Sequence, residues 1–293
     1  MKRPLFTGLC TALVTPFMGD EVNYEMLEHL MWRQIDAGVD AIVLTGTTGE
    51  SPTLTREEKL QIYRIGVQTA SGRCKIIAGT GSNCTANAVA LSREAEKTGV
   101  DGLLIVTPYY NKATQPGLLK HYSAVCGAVQ IPVIAYNVPS RTGVDILPVT
   151  ARALADIPNL AGIKEASGDI VRVTRIADTM PVYTGNDDQT VASMALGGSG
   201  VISVVSNVLP EQTLAMVRAC QAGDYRLAAE LQRKLLPLMD LMFSQVNPIP
   251  VKAAMRMMGF DCGECRMPLD GLTEENERKL QDALLKLDCM RNN

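Results

Sequence analysis

The chain lacks the marks of several large classes of protein. Its 293 residues hold 28 Lys and Arg against 31 Asp and Glu, a net charge of −3, so there is no basic excess to meet a phosphate backbone or an anionic bilayer. No run approaches the roughly 18 consecutive apolar residues of a membrane span. Nucleic acid and membrane are therefore not expected partners. Histidine occurs only as His29 and His121, too few and too scattered for a ligand set. The eight cysteines are spread from Cys10 to Cys289, which suits reduced thiols and a cytoplasmic location better than a disulfide framework. Cys262 and Cys265 form the only close pair, short of the four ligands that zinc takes. A Gly-Lys-Ser/Thr phosphate loop, a dinucleotide fingerprint and a His-Glu-x-x-His motif are all missing, so nucleotide, nicotinamide and metal-hydrolase chemistry lose support. Lys2-Arg3 before the stretch Leu5 to Phe17 imitates a signal peptide, but Pro4 and interspersed Thr and Gly break the apolar run.

What is present is a globular composition, 46% hydrophobic and 20% charged, in a chain long enough to bury roughly three quarters of its unfolded surface. Its organisation is recurrent: a short apolar or β-branched run, a polar loop, then a stretch of helical period. Eight such runs stand out, Gly8 to Val14, Ala41 to Leu44, Lys75 to Ala78, Gly102 to Val106, Pro132 to Tyr136, Leu160 to Lys164, Pro181 to Thr184 and Gly200 to Val205. Continuous apolarity, without alternation, marks parallel strands covered on both faces. Between them Thr55 and Glu58 predict a capping box, and the stripe Met26, Leu27, Leu30, Met31 and Ile35 ends at Gly38. Eight βα units with no doubly wound reversal and no low-complexity linker predict an α/β fold, a (β/α)8 TIM barrel, over residues 1–224. Three helical stretches follow as a C-terminal extension over 225–293: Asp224 to Gln245, kinked at Pro237, Pro250 to Met258, and Thr273 to Cys289 with Leu280, Leu284 and Leu287 on one face.

In such a barrel the chemistry sits at the C-terminal ends of the strands. Lys164 stands out there because a lysine inside the apolar run Leu160 to Ala166 is costly to bury charged, and burial favours the neutral, nucleophilic amine. A strand-end lysine snorkelling to solvent is the plainer alternative. Tyr136, one strand earlier at a similar height, supplies a phenol able to pass protons to and from a carbinolamine. Thr47 and Thr48, between Gly46 and Gly49, offer hydroxyls and backbone N–H groups suited to a small carboxylate. Gly197-Gly198-Ser199-Gly200 looks phosphate-binding but enters the eighth strand, on the opposite face.

Together, Gly46-Thr47-Thr48-Gly49-Glu50, Tyr136-Asn137-Val138-Pro139 and Gly162-Ile163-Lys164, in this order, resemble the pyruvate-dependent class I aldolases of the dihydrodipicolinate synthase and N-acetylneuraminate lyase superfamily. The resemblance covers essentially the whole chain. Thr107-Pro108-Tyr109-Tyr110-Asn111 and Arg141-Thr142-Gly143 resemble the dihydrodipicolinate synthase branch. The resemblance implies that Lys164 forms an imine with pyruvate, with no other cofactor, and that the derived enamine attacks L-aspartate 4-semialdehyde. It implies proton relay by Tyr136, Thr47 and Tyr110, a pyruvate carboxylate held by Thr48, and a semialdehyde carboxylate bound by Arg141. Gly185 and Ile202 match positions lining the family's pocket. It also implies a homotetramer, a dimer of dimers in which Tyr110 reaches into its neighbour's site. Cleavage of a sialic acid or keto-deoxy sugar acid by the same imine is one rival, and a binding protein without turnover another.

Family members inhibited by L-lysine carry His and Glu around an interface pocket, where this chain has Arg56, Lys59 and Asn87. Two added cations repel an ammonium and the amide removes a counter-charge. Feedback inhibition is expected to be weak or absent. Steady-state turnover should therefore persist in millimolar L-lysine, and half-inhibition below that range would contradict the charge argument.

Overall fold

The computed structural model describes residues 2–289. Eight strands, β1 (Gly8–Ala12), β2 (Ala41–Leu44), β3 (Lys75–Gly79), β4 (Gly102–Val106), β5 (Val133–Asn137), β6 (Leu160–Glu165), β7 (Val182–Thr184) and β8 (Gly200–Ser203), are all parallel and follow one another around a closed barrel, with β8 pairing back onto β1. Each expected run overlaps one of them. The strand ends differ by one or two residues: β5 and β6 continue to Asn137 and Glu165, whereas β8 stops at Ser203 because Val205–Asn207 turns into a 3-10 helix.

The helices between the strands carry the expected local signals. α1 (Tyr24–Ala37) buries Leu27, Leu30, Met31 and Ile35 and stops at Gly38, whose φ of 87° lets its N–H reach back to Gln34 and Ile35 carbonyls. α2 (Arg56–Ala70) begins with the Thr55–Glu58 capping box. Then come α3 (Thr85–Lys97), α4 (Gln115–Cys126), α5 (Pro148–Leu154), α6 (Val171–Ile176), α7 (Thr190–Ala195) and α8 (Pro210–Gln221). A ribbon of two-residue strands, Phe17–Met18 and Glu21–Val22, was not expected from the sequence.

The core has two layers. Between strands and helices lies a continuous apolar shell. Inside the barrel a second cluster includes Cys10, Val43, Ile77, Leu104, Ile134 and Ile202. Phe6, just before β1, stacks on Tyr183 at 4.3 Å and accepts that phenol's hydrogen bond on its carbonyl at 2.8 Å. Closure between β1 and β8 needs two glycines: Gly8 and Gly200 are register partners, and a Cβ on Gly200 would lie 2.1 Å from the Gly8 carbonyl oxygen. The glycine-rich Gly197–Gly200 segment thus serves backbone approach at the N-terminal face.

After α8 the chain forms α9 (Tyr225–Leu241), α10 (Ile249–Met257) and α11 (Glu274–Lys286). α9 runs through Pro237 without interruption and buries Leu235, Leu238 and Met239. Its Gln232 accepts from the Val191 N–H and donates to the Asp188 carbonyl, fixing it to the end of the barrel bearing the β7 loop. Leu280 and Leu284 of α11 are buried, as their stripe suggested. Among the described residues no helix is long and apolar enough to cross a membrane.

Candidate active site

At the C-terminal face of the barrel lies a cavity of about 650 Å³. Thr47, Thr48, Tyr136, Arg141, Lys164 and Gly185 line it together. The remaining wall includes Ser140, Asn186 and Val204, together with Phe243, Gln245, Val246 and Asn247 from the segment joining α9 to α10.

Lys164 is 6% exposed, so it does not snorkel. Parallel pairing of β5 and β6 makes Tyr136 and Lys164 register partners, and because side chains alternate across a strand both project into the barrel. Lys164 Nζ lies 4.3 Å from the centre of the Tyr136 ring. Gly185, at the end of β7, faces the lysine stem: a Cβ there would stand 2.7 Å from Lys164 Cε. Two residues on, the fully buried Asp187 accepts hydrogen bonds from the Val204 and Val205 N–H groups at 2.9 and 3.0 Å. Burial pushes its carboxyl up, while Ser203, these amides and the Lys164 ammonium pull it down. Sequence reasoning passed over Asp187, although its place just beyond a barrel strand was a usable signal.

The Thr47-Thr48 loop is bracketed by two left-handed residues, Thr45 (φ 51°) and Glu50 (φ 54°), a conformation that costs free energy in any residue with a Cβ. Thr45 is held by its hydroxyl, within 2.7 Å of Tyr63 Oη. The buried Thr48 Oγ1 accepts from Asn247 Nδ2 at 3.0 Å. Arg141, on the single helical turn Pro139–Thr142, donates to the Asn247 carbonyl at 3.2 Å. Asn247 therefore connects the two groups expected to bind carboxylates, and its buried Oδ1 has no hydrogen-bond partner among the described residues. No local motif marks Asn247, which lies 199 residues from Thr48.

Two expected site residues lie elsewhere. Ile202 is fully buried in the interior layer of the barrel and Val204 takes its place on the cavity wall. Tyr110 is 89% exposed, with a φ of 75°, and does not line the cavity of its own chain. The charges expected to repel L-lysine are also differently placed. Arg56 is paired with Glu94, so of the two expected cations only Lys59, half-buried and with its ammonium pKa pushed down by burial, is without an ion-pair partner among the described residues. Cys262 is buried and Cys265 partly so, both as thiols. Among the described residues no group of three or more His, Cys, Asp or Glu could hold a metal.

The Gly185 geometry makes a sharp prediction. In Gly185→Ala the added methyl would stand 2.7 Å from Lys164 Cε and 2.8 Å from Ala166 Cβ, so both the lysine stem and the end of β6 must shift, and the chain should stay folded with its melting temperature lowered by several degrees. Borohydride trapping of pyruvate on Lys164 should fall by about tenfold or more, since small misplacements of a reacting atom cost that much. Unchanged trapping, followed by mass spectrometry, would show that the lysine does not work from this position.

With the site assembled, the chain can be set beside known proteins. The Dihydrodipicolinate synthetase family model matches residues 5–287. A 4-hydroxy-tetrahydrodipicolinate synthase of Caldicellulosiruptor saccharolyticus is 49% identical over 286 residues, covering 96% of this chain and 97% of the relative. The enzyme of the same name from Thermoanaerobacter pseudethanolicus is 46% identical, covering 98% and 99%. Among solved structures, dihydrodipicolinate synthase from Aquifex aeolicus superposes with a TM-score of 0.95 at 44% identity, covering 98% of this chain and all of the other. The Thermotoga maritima enzyme gives 0.96 at 41%, with the same coverage. From residue 5 to residue 287, this chain belongs to the dihydrodipicolinate synthetase family.

Proposed function

We propose that this chain catalyses the 4-hydroxy-tetrahydrodipicolinate synthase reaction, condensing pyruvate with L-aspartate 4-semialdehyde in the first committed step of diaminopimelate and lysine synthesis. The observation that carries the reading is the buried Lys164 amine against the Tyr136 ring, in a cavity that also holds Thr48 and Arg141. The curated relatives bear the name of this activity. Arg141 on the cavity wall favours a second substrate with a carboxylate over a sugar chain.

In this reading the Lys164 amine attacks C2 of pyruvate, and the carbinolamine expels water to leave an iminium. Loss of a C3 proton gives an enamine, whose C3 bonds to the aldehyde carbon of the semialdehyde while the aldehyde oxygen takes up a proton. The semialdehyde's amine then adds to the imine carbon and displaces Lys164, closing the six-membered ring and returning the free lysine. No cofactor is needed, because the iminium formed on Lys164 is itself the electron sink. Tyr136 and Thr47 relay the protons. Thr48 and the loop N–H groups hold the pyruvate carboxylate, and the Arg141 fork holds that of the semialdehyde. Gly185 leaves room for the lysine stem, and Ile202 supports the wall from below.

A coupled assay with pyruvate, L-aspartate 4-semialdehyde and a reductase that consumes the cyclic product tests the reading. Turnover that disappears in Lys164→Ala is the expected result. A pyruvate adduct on Lys164 without turnover would redirect the search to sugar-acid partners, and the absence of both would leave a binding protein.

Tyr110, exposed and turned from its own cavity, completes the proton relay of a partner subunit in a homotetramer built as a dimer of dimers. The fold alone does not dictate this, since a neighbour of TM-score 0.96 at 41% identity is described as a monomeric dihydrodipicolinate synthase variant. Mixing inactive Tyr110→Phe and Lys164→Ala chains decides it. Random re-association into dimers should restore about a quarter of wild-type activity, one intact site in each mixed pair. No recovery means that Tyr110 serves its own barrel.

A further inference from the structure

The loop that carries Thr47 and Thr48 is held by a residue far outside the barrel. Glu50 closes that loop: its N–H donates to the Thr47 carbonyl at 3.1 Å, and the next N–H, of Ser51, donates to Gly46. Its side chain turns inward and is completely buried. One carboxylate oxygen lies 2.9 Å from Nζ of Lys252, on α10 of the extension, and the other accepts the Arg266 N–H at 2.8 Å. Lys252 is equally buried. Its ammonium also donates to the Glu264 carbonyl at 2.8 Å and stands 4.3 Å over the Phe17 ring.

A buried ion pair is weak evidence for a stabilising role, because apolar replacements of similar volume are often as stable or more so. This pair also maintains a left-handed residue, Glu50, which persists only where its surroundings over-determine it. The loop is further tied by Thr15 Oγ1 to the Gly49 carbonyl and by Asn247 Nδ2 to Thr48. The ion pair is the one of these ties that is doubly charged and closes the turn from the extension.

We propose that Lys252 is a positioning residue for pyruvate: by fixing Glu50 it sets the Thr47-Thr48 turn that receives the substrate carboxylate. The C-terminal extension is thereby part of the catalytic unit. The inference rests on the reading of Thr48 and the loop N–H groups given above. It assigns to Lys252 its main effect on the first substrate; the carboxylate of the second goes to Arg141, which touches the loop only indirectly, through Asn247.

The test is the uncharged double variant Glu50→Gln/Lys252→Met, which keeps the shape of residue 50 with an acceptor for the Arg266 N–H and shortens residue 252 by one atom. Melting temperature, the pyruvate dependence of borohydride trapping, and KM for each substrate are measured beside the wild type. The expected result is a folded protein whose half-saturating pyruvate concentration rises about tenfold while KM for the semialdehyde stays within about twofold. Unshifted pyruvate binding in the folded variant, or an equal rise in both KM values, overturns the proposal. Should the double variant not fold, Glu50→Gln alone must raise half-saturating pyruvate, and its failure to do so overturns the proposal equally. A wild-type chain that traps no pyruvate would overturn the reading of the site itself, and this inference with it.

Discussion

Burying a lysine without a counter-ion beside it is the constraint on which this structure turns. Amines leave water only at a high cost when charged, and a barrel interior of Val43, Ile77, Leu104 and Ile134 offers nothing in return. What the fold supplies instead is position. Parallel strands joined by helices place every strand end on one face, and the β5–β6 register brings a phenol ring against the amine. Two buried carboxyls lie nearby, Glu165 next in sequence and Asp187 in the loop after β7; Glu165 is turned to Asn137 and the Ser167 N–H, and Asp187 gives one of its oxygens to the β8 loop. Among the described residues neither forms an ion pair with Lys164. The amine is left facing the cavity, which is where a carbonyl carbon has to come.

The architecture was legible in the sequence because the strands of a parallel barrel are apolar on both faces, and that pattern does not depend on anything distant. Helix starts and stops were legible for the same reason, as in the Thr55–Glu58 box and Gly38. The Phe17–Val22 ribbon was not, since two residues per strand carry no period. Site residues divided along a similar line. Lys164, Tyr136, Thr47, Thr48 and Arg141 lie at strand ends or in the loops that follow, where the barrel rule directs attention, and all border one cavity. Asn247 and Lys252 come from the extension and reach the loop across about two hundred residues. Only one signal pointed to Lys252: it is the sole charge in Ile249 to Met255, a lysine in an apolar run as Lys164 is. The partner of Arg56, Glu94, was hidden because pairing between neighbouring helices leaves no trace in either helix's own pattern.

The two buried lysines show what separates a structural amine from a reactive one. Lys252 has a carboxylate, a carbonyl and an aromatic face around its nitrogen, so every direction of approach is filled and the group can only hold its neighbours in place. Lys164 has one aromatic face and open cavity. Gly185 widens the difference, because any larger residue there would occupy the space through which the lysine stem reaches the substrate. In the proposed reaction the same side chain thus serves as a clamp at one end of the Thr47-Thr48 loop and as the nucleophile across the cavity from it. On that proposal the clamp matters to the nucleophile, since an imine forms only when the carbonyl carbon is held within reach of the amine, and the carboxylate beside that carbon is what the loop would grip.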